Sequence, residues 1–317
     1  MRTQKEATSL YRQGMEDIRG IVIRSQSGFY TVQTEAGKEI VAHLRGRLKR
    51  GPKVADLVAV GDWVSLSVQE NDEYRIEEIE ERHSRLSRMA PSARGDYEQI
   101  IIANPDLVAF VFSCADPAPK MRMLDRFLII AEEQDIPAII IANKIDLVGK
   151  RAAKKLFGHY PQLGYPVFYT STIKKRGLKN LRKYLSGRIS VFAGPSGVGK
   201  SSLLNAIQPG LGLEVNEISQ ASGKGRHTTT VREMIPLKRG GFVADTPGLK
   251  SLGLWDIELE ELDGYFPEIA PLVPDCKFNN CTHIEEPGCA VIAAVEGGEI
   301  HFDRYESYVR LRMGDDE

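Results

Sequence analysis

Two motifs stand in this chain in an unusual order. "GPSGVGKS", Gly194 to Ser201, fills every fixed position of a phosphate-binding loop. It follows the apolar run "ISVFA" and opens "GKSSLLNAI", so a strand and a helix flank it as such a loop requires. "NKID", Asn143 to Asp146, comes before it rather than after, at the end of the apolar run "AIIIA". A fold that uses both must gather several strand ends at one edge. An open, largely parallel α/β sheet does this at the carboxyl ends of its strands.

The chemistry of each motif is local. The loop residues Gly194, Pro195, Ser196, Gly197, Val198 and Gly199 let the backbone turn its N–H groups toward phosphate oxygens. Lys200 brings a positive charge to the β- and γ-phosphates, the Ser201 hydroxyl is a ligand for Mg²⁺, and Ser202 stands beside it in the first helical turn. The plain alternative is a Gly-rich strand-to-helix turn, which the flanking elements disfavour. The loop does not choose a base. Asp146 does, because a carboxylate accepts two hydrogen bonds from the ring N–H and exocyclic amine of guanine, a donor pair that adenine lacks. Asn143 is expected to hold neighbouring loops and contact the base edge, with the Lys144 stem over its face. Ser171 and Thr172, in "YTSTIKKRGL", complete the base pocket through backbone groups.

"DTPG", Asp245 to Gly248, ends the strand "GFVA". Asp245 is placed to hold Mg²⁺ through water, and the Gly248 N–H to meet the γ-phosphate. Between this motif and the phosphate loop lies "SGKGRHTTTVRE", which reads as a polar, mobile segment. Thr229, or its neighbour Thr228 or Thr230, completes the Mg²⁺ shell when GTP orders it. Leu249 follows Gly248 and cannot orient water. Either turnover is very slow or another group substitutes. His227 is the candidate, as a neutral imidazole that orients or activates water, against the reading of a solvated loop residue.

The rest of the chain reads as a multidomain α/β protein. Residues 1–18, with no apolar stretch, are expected as a flexible N-terminus and not a signal peptide. Residues 19–81 carry five short strand patterns in "GIVIRSQSGFYTVQT", "KEIVAHL", "GDWVSLSV" and "YRIEEIE", which suggests a small OB-fold β-barrel. Its loop "HLRGRLKRGPK" carries Arg45, Arg47, Lys49, Arg50 and Lys53, either a solvated basic loop or a contact with nucleic-acid phosphates. The net charge of −1 gives no global pull toward nucleic acid, so any such contact is local. Residues 82–99 read as a linker, basic and interrupted by Pro91 and Gly95. Residues 100–265 read as the P-loop nucleotide domain with a largely parallel sheet, and 266–317 as a zinc-binding domain with a C-terminal helix. There "CKFNNCTHIEEPGC" sets Cys276, Cys281, His283 and Cys289 at a spacing that saturates one tetrahedral, structural Zn²⁺. Cys114, in an apolar strand, reads as core.

The motifs therefore run base reader, base-pocket serine, phosphate loop, switch threonine, D-x-x-G: a rotation of the usual GTPase order. With "NKID", "GPSGVGKSSLLN", "GKGRHTTT", "DTPG" and the cysteine cluster in this order, the chain resembles the circularly permuted GTPases of small ribosomal subunit maturation, the RsgA (YjeQ) type. The resemblance runs from about Gly20 to Arg312. It implies an OB-fold, a circularly permuted GTPase domain, a zinc domain, and GTP hydrolysis to GDP and phosphate stimulated by the 30S subunit. It also implies a catalytic part for the histidine of "RHTTT", His227. The expected partners are GTP or GDP and the small ribosomal subunit with its rRNA, for a cytoplasmic monomer without membrane contact. Two other readings stay in play: an RNA-binding scaffold with a vestigial nucleotide fold, which intact Lys200, Ser201 and Asp245 oppose, and a P-loop ATPase or kinase, which Asp146 opposes.

Overall fold

The computed structural model describes residues 18–46, 56–69, 73–92, 95–210, 232–245 and 257–315. Arg47, Lys49, Arg50, Lys53, His227, Thr229 and Gly248 lie outside the described residues. Two compact units are present, one within Met1–Pro105 and His227–Ile235, the other within Asp106–Arg226 and Pro236–Glu317.

In the first unit, strands β1 (Ile18–Gln26), β2 (Phe29–Thr34), β3 (Glu39–Leu44), β4 (Trp63–Val68) and β5 (Tyr74–Ile79) follow the alternation of apolar and polar residues in the sequence. β1 pairs antiparallel with both β2 and β4, β2 with β3, β4 with β5, and β3 runs parallel to β5. The ring closes with no free edge, as expected of an OB barrel. Val22, Val32, Val64, Leu66 and Ile76 fill its interior.

Residues 82–99, expected as an irregular linker, instead form most of a hairpin, β6 (Arg85–Ser92) with β7 (Gly95–Ala103). Pro91 sits near its tip, opposite Asp96, where a missing N–H costs little. The hairpin is anchored by polar groups that a periodicity argument does not weigh. Arg82 donates from Nε and Nη2 to the buried Asp62 at 2.7 and 2.8 Å. Asp56 accepts from the Tyr97 hydroxyl at 2.7 Å and the Ile100 N–H at 3.0 Å.

The second unit holds β8 (Leu107–Ser113), α1 (Met121–Glu133), β9 (Ala138–Asn143), α2 (Ile145–Val148), α3 (Lys150–Phe157), β10 (Val167–Tyr169), α4 (Leu178–Leu185), β11 (Ile189–Ala193) and α5 (Lys200–Ile207). β12 (Arg232–Pro236) and β13 (Phe242–Asp245) follow, then α6 (Ala290–Glu296) and α7 (Phe302–Arg312). β8, β9 and β11 are buried along their whole length, as the unbroken apolar runs required. The parallel strands stand in the order β10-β9-β8-β11-β13. Chain order runs outward in opposite directions from β8 and β11, so the topological switch point lies between them, where open sheets bind ligands. β12 belongs mainly to the first unit. It pairs with β1 through Arg24↔Glu233 and Ser25↔Arg232, so the last residues of the segment read as mobile are strand.

The C-terminal region packs on the sheet's own helix rather than standing apart. Ile129 of α1 shares a core with Leu262, Phe266, Ile269, Val291 and Tyr308. Beside it, the buried Arg304 of α7 donates to Asp125 of α1 at 2.7 Å and to Glu268 at 2.6 Å. Ser307 and Tyr160 donate to the same Asp125 at 2.5 and 2.7 Å. Every oxygen of the buried carboxylate is thus paired, the condition under which such a charge is tolerated.

Candidate nucleotide site and metal centre

The phosphate loop sits between β11 and α5, as its flanks predicted. Close packing explains two of its glycines. A Cβ at Gly194 would stand 2.1 Å from the Val111 carbonyl oxygen, and one at Gly199 would stand 2.8 Å from Asn143 Nδ2. The Lys200 ammonium donates to the Gly194 and Pro195 carbonyls at 2.8 and 2.9 Å, which holds it across its own loop. Ser201 and Ser202 follow in the first turn of α5.

The base-reading motif meets this loop directly. Asn143, 1% exposed, donates from Nδ2 to the Val198 carbonyl at 2.9 Å and accepts from Thr170 at 3.0 Å. It ties the phosphate loop to the exits of β9 and β10, and one N–H of its amide remains for a base. Lys144, at φ 59°, directs its ammonium to the Asp116 carbonyl after β8. The Ser171 hydroxyl donates to Asp146 and accepts from the Lys174 N–H at 3.0 Å. Ser171 also closes a backbone bridge with Arg176, and the Thr172 carbonyl accepts from the Lys175 N–H in the turn between them. Asn143, Asp146, Ser171 and the loop at Val198 therefore converge, although they come from three separate stretches of chain. Thr170 and Asp116 were missed. The only sequence signal for either is its position at a strand exit.

Asp245 ends β13, in register with Phe192 of β11, so its backbone lies at the strand end beside the phosphate loop. Arg45 of the barrel forms an ion pair with Glu77, which compensates its charge locally. Phe29, 52% exposed, packs edge-on against His43 at 4.6 Å on the barrel surface. Cys114 is buried core, its thiol pushed up to about 11 by burial and secondarily by Asp146.

Cys276, Cys281, His283 and Cys289 bring four ligand atoms within 4.8 Å of one another. The Cys276 and Cys289 sulfurs are 3.8 Å apart, and His283 Nδ1 is 3.5 and 3.4 Å from them. Bonds of about 2.3 Å from sulfur and about 2.0 Å from nitrogen to a central ion give tetrahedral edges of roughly 3.5–3.8 Å. The donor set fits a four-coordinate cation. His283 Nε2 lies 3.1 Å from Asp263, the carboxylate partner that fixes a metal-ligating imidazole. Asp263 lies in the 3₁₀ turn Leu259–Tyr265, too far along the chain for spacing to find it. Cys289 also caps α6, accepting from the Ile292 N–H at 3.5 Å. Glu286 accepts from the N–H and hydroxyl of Thr282 at 2.7 and 2.5 Å, which braces the loop that presents Cys281 and His283.

A sheet whose N-K-x-D motif precedes the phosphate loop it meets, an OB barrel before it and a Cys₃His cluster after it are the features of a circularly permuted GTPase. The RsgA N-terminal domain model matches residues 19–76 and the RsgA GTPase model residues 79–255. A Gemmatimonas aurantiaca protein named "Small ribosomal subunit biogenesis GTPase RsgA" is 46% identical, over 92% of this chain and 96% of its own. A Geobacillus protein of the same name is 46% identical over 92% and 94%. Among solved structures, YjeQ from Thermotoga maritima superposes with a TM-score of 0.76 at 37% identity, covering 94% of this chain and 98% of its own. YloQ, described as a circularly permuted GTPase, gives 0.73 at 36%, covering 95% of each. The chain belongs to the RsgA GTPase family and hydrolyses GTP. Among the described residues no helix is long and apolar enough to cross a membrane.

Proposed function

We propose that this GTPase acts on the small ribosomal subunit during its maturation, as a cytoplasmic monomer, and that the subunit stimulates its turnover. What supports the reading is a phosphate loop that meets the N-K-x-D motif in one chain with an OB type of barrel. The names of its relatives support the same partner.

In this reading Lys200 and the loop N–H groups of Gly194 to Ser201 bind the β- and γ-phosphates, and Asp146 and Ser171 read guanine. Ser201, Asp245 and Thr229 hold Mg²⁺, which neutralises charge developing on the phosphates. His227 orients the attacking water in place of the glutamine that Leu249 replaces. In the same reading the Gly248 N–H meets the γ-phosphate. The Cys₃His centre holds one structural Zn²⁺, because three thiolates and an imidazole leave no open position.

Phosphate release from GTP and from ATP, with and without purified small subunits, tests the proposal. GTP turnover should rise at least tenfold with subunits, and ATP turnover should stay at background. His227→Ala should cut stimulated turnover at least tenfold at similar GTP affinity. Subunit-independent GTP turnover would overturn the small-subunit reading, and unchanged turnover in the variant would remove His227 from the mechanism.

A further inference from the structure

The charge of this chain is not spread evenly. Residues 147–213 contain twelve lysines and arginines and no aspartate or glutamate, while the whole chain has a net charge of −1, so the remainder carries −13. Of those twelve, Lys200 is committed to the phosphate loop, and Arg182 and Arg188 donate to backbone carbonyls. The other nine are exposed, and none of them forms an ion pair among the described residues.

The fold brings two of these nine, Lys150 and Arg176, to one cavity, and the other seven lie on the elements that carry them. α3 buries only Ala153 and Phe157, one turn apart, so Lys150, Arg151, Lys154 and Lys155 all face solvent. α4 buries Leu178, Leu181 and Leu185, which leaves Lys179 and Lys183 outside, and the turn Lys174 to Arg176 leads into it. Between the two helices lies β10, the outer strand of this unit's parallel sheet, which pairs with β9 on its inner side. A cavity of about 430 Å³ opens there, lined by Lys150 from α3, Phe168 and Tyr169 from β10, and Arg176 and Asn180 at the start of α4. Its volume is that of a small-ligand site. Cations beside half-buried aromatic faces are the combination that single-stranded nucleic acid uses, phosphate on charge and base on ring.

We propose that this β10 face is a second RNA-docking surface, separate from the barrel. It seats a stretch of RNA backbone across α3 and α4, with one nucleotide in the cavity against Phe168 or Tyr169. The inference rests on the small-subunit reading for the identity of that RNA, and on charge and shape for its chemistry. An acidic protein segment would find the same cations but has no use for the aromatic cavity. The surface adjoins the Ser171–Arg176 bridge, whose Ser171 hydroxyl meets Asp146, so RNA seated here touches the base-reading loop from outside.

The test is the triple variant Lys150→Gln, Lys154→Gln, Lys179→Gln in the full chain, titrated with purified small subunits, with protein-free 16S rRNA and with GDP. All three are exposed and none is among the residues of the nucleotide site, so GDP affinity should stay within twofold and reports correct folding. Affinity for subunits and for free rRNA should both fall at least tenfold at 0.1 M salt. The slope of log affinity against log salt should become shallower by about 2, for a loss of about 0.7–0.9 per phosphate contact. Lys154→Glu alone, on the outer face of α3, gives the same directions if the triple variant folds poorly. Unchanged affinity and slope overturn the proposal. Weakened subunit binding with unchanged rRNA binding also overturns it, in favour of an acidic ribosomal protein. If the wild-type chain binds free RNA through these residues but ignores the subunit, the small-subunit reading fails and this surface stands.

Discussion

The nucleotide site and the Cys₃His centre belong to the same compact unit, yet they are held in opposite ways. Around the nucleotide site, Asn143 binds Thr170 and the loop, Ser171 binds Asp146, and Lys200 rests on carbonyls that a phosphate can replace. Around the metal centre, Cys276, His283 and Cys289 already stand at tetrahedral-edge distances with Cys281 close by, Asp263 lies behind the imidazole and Glu286 braces the loop. The first arrangement suits a ligand that comes and goes. The second suits an ion that stays, and its Cys281 and Cys289 belong to the core that the C-terminal region shares with α1.

Substitutions that separate binding from stability break or sharpen this contrast. The largest stability effect is expected at the metal centre, where zinc contributes on the order of 10 kcal/mol to folding of small sites. Cys289→Ser should abolish stoichiometric zinc in elemental analysis and lower the melting temperature by more than about 10 °C. A variant that keeps its melting temperature would show that the four donors do not support the fold through a metal. Next comes the buried ion cluster that joins α7 to α1. Arg304→Ala removes the counter-charge of the buried Asp125 and Glu268 and should cost about 3–5 kcal/mol in denaturant unfolding. Lys200→Ala should behave in the opposite sense. Its GDP affinity should fall at least a hundredfold in a direct titration, while the stability of the nucleotide-free chain changes by less than about 1 kcal/mol.

The smallest effect concerns acid. His159 stacks on His301 at 4.3 Å, and its buried Nε2 finds no hydrogen-bond partner among the described residues. Burial, then the neighbouring His301 and Arg304, depress its pKa from 6.5 to about 4. Between those values the unfolded chain binds a proton that the folded chain refuses, so the stability is present above pH 6.5 and is lost as pH falls toward 4. His159→Phe should flatten the decline of stability across that window, and an unaltered slope would assign the acid sensitivity elsewhere.

Much of this organisation was legible in the sequence, for physical reasons that differ by element. The barrel strands announce themselves by alternation, the parallel strands by unbroken apolar runs, and the phosphate loop and cysteine cluster by spacing that their ligands impose. The β6–β7 hairpin was not legible, because Arg82–Asp62 and Asp56–Tyr97 contacts anchor it rather than a periodic apolar face. α3 was hidden for a related reason: two buried residues among four cations give little apolar signal. Asp263 and Arg304 act on partners far along the chain, and no local pattern encodes such pairings. The same distance makes the C-terminal region part of the sheet's compact unit, where composition suggested a module of its own.

The central claim is that the rotated chain order builds one nucleotide site, with "NKID" and the phosphate loop serving the same ligand. Titration of the wild-type chain and of Asp146→Asn with GDP, ADP and xanthosine diphosphate tests it most directly. Xanthine carries a carbonyl where guanine carries its exocyclic amine, so an amide at position 146 should exchange one preference for the other. The wild type should bind GDP and reject ADP, and the variant should lose GDP at least a hundredfold while gaining the xanthine nucleotide. GDP affinity untouched by Asp146→Asn but abolished by Lys200→Ala would mean that the two motifs do not share a site, and the account would be wrong at its root.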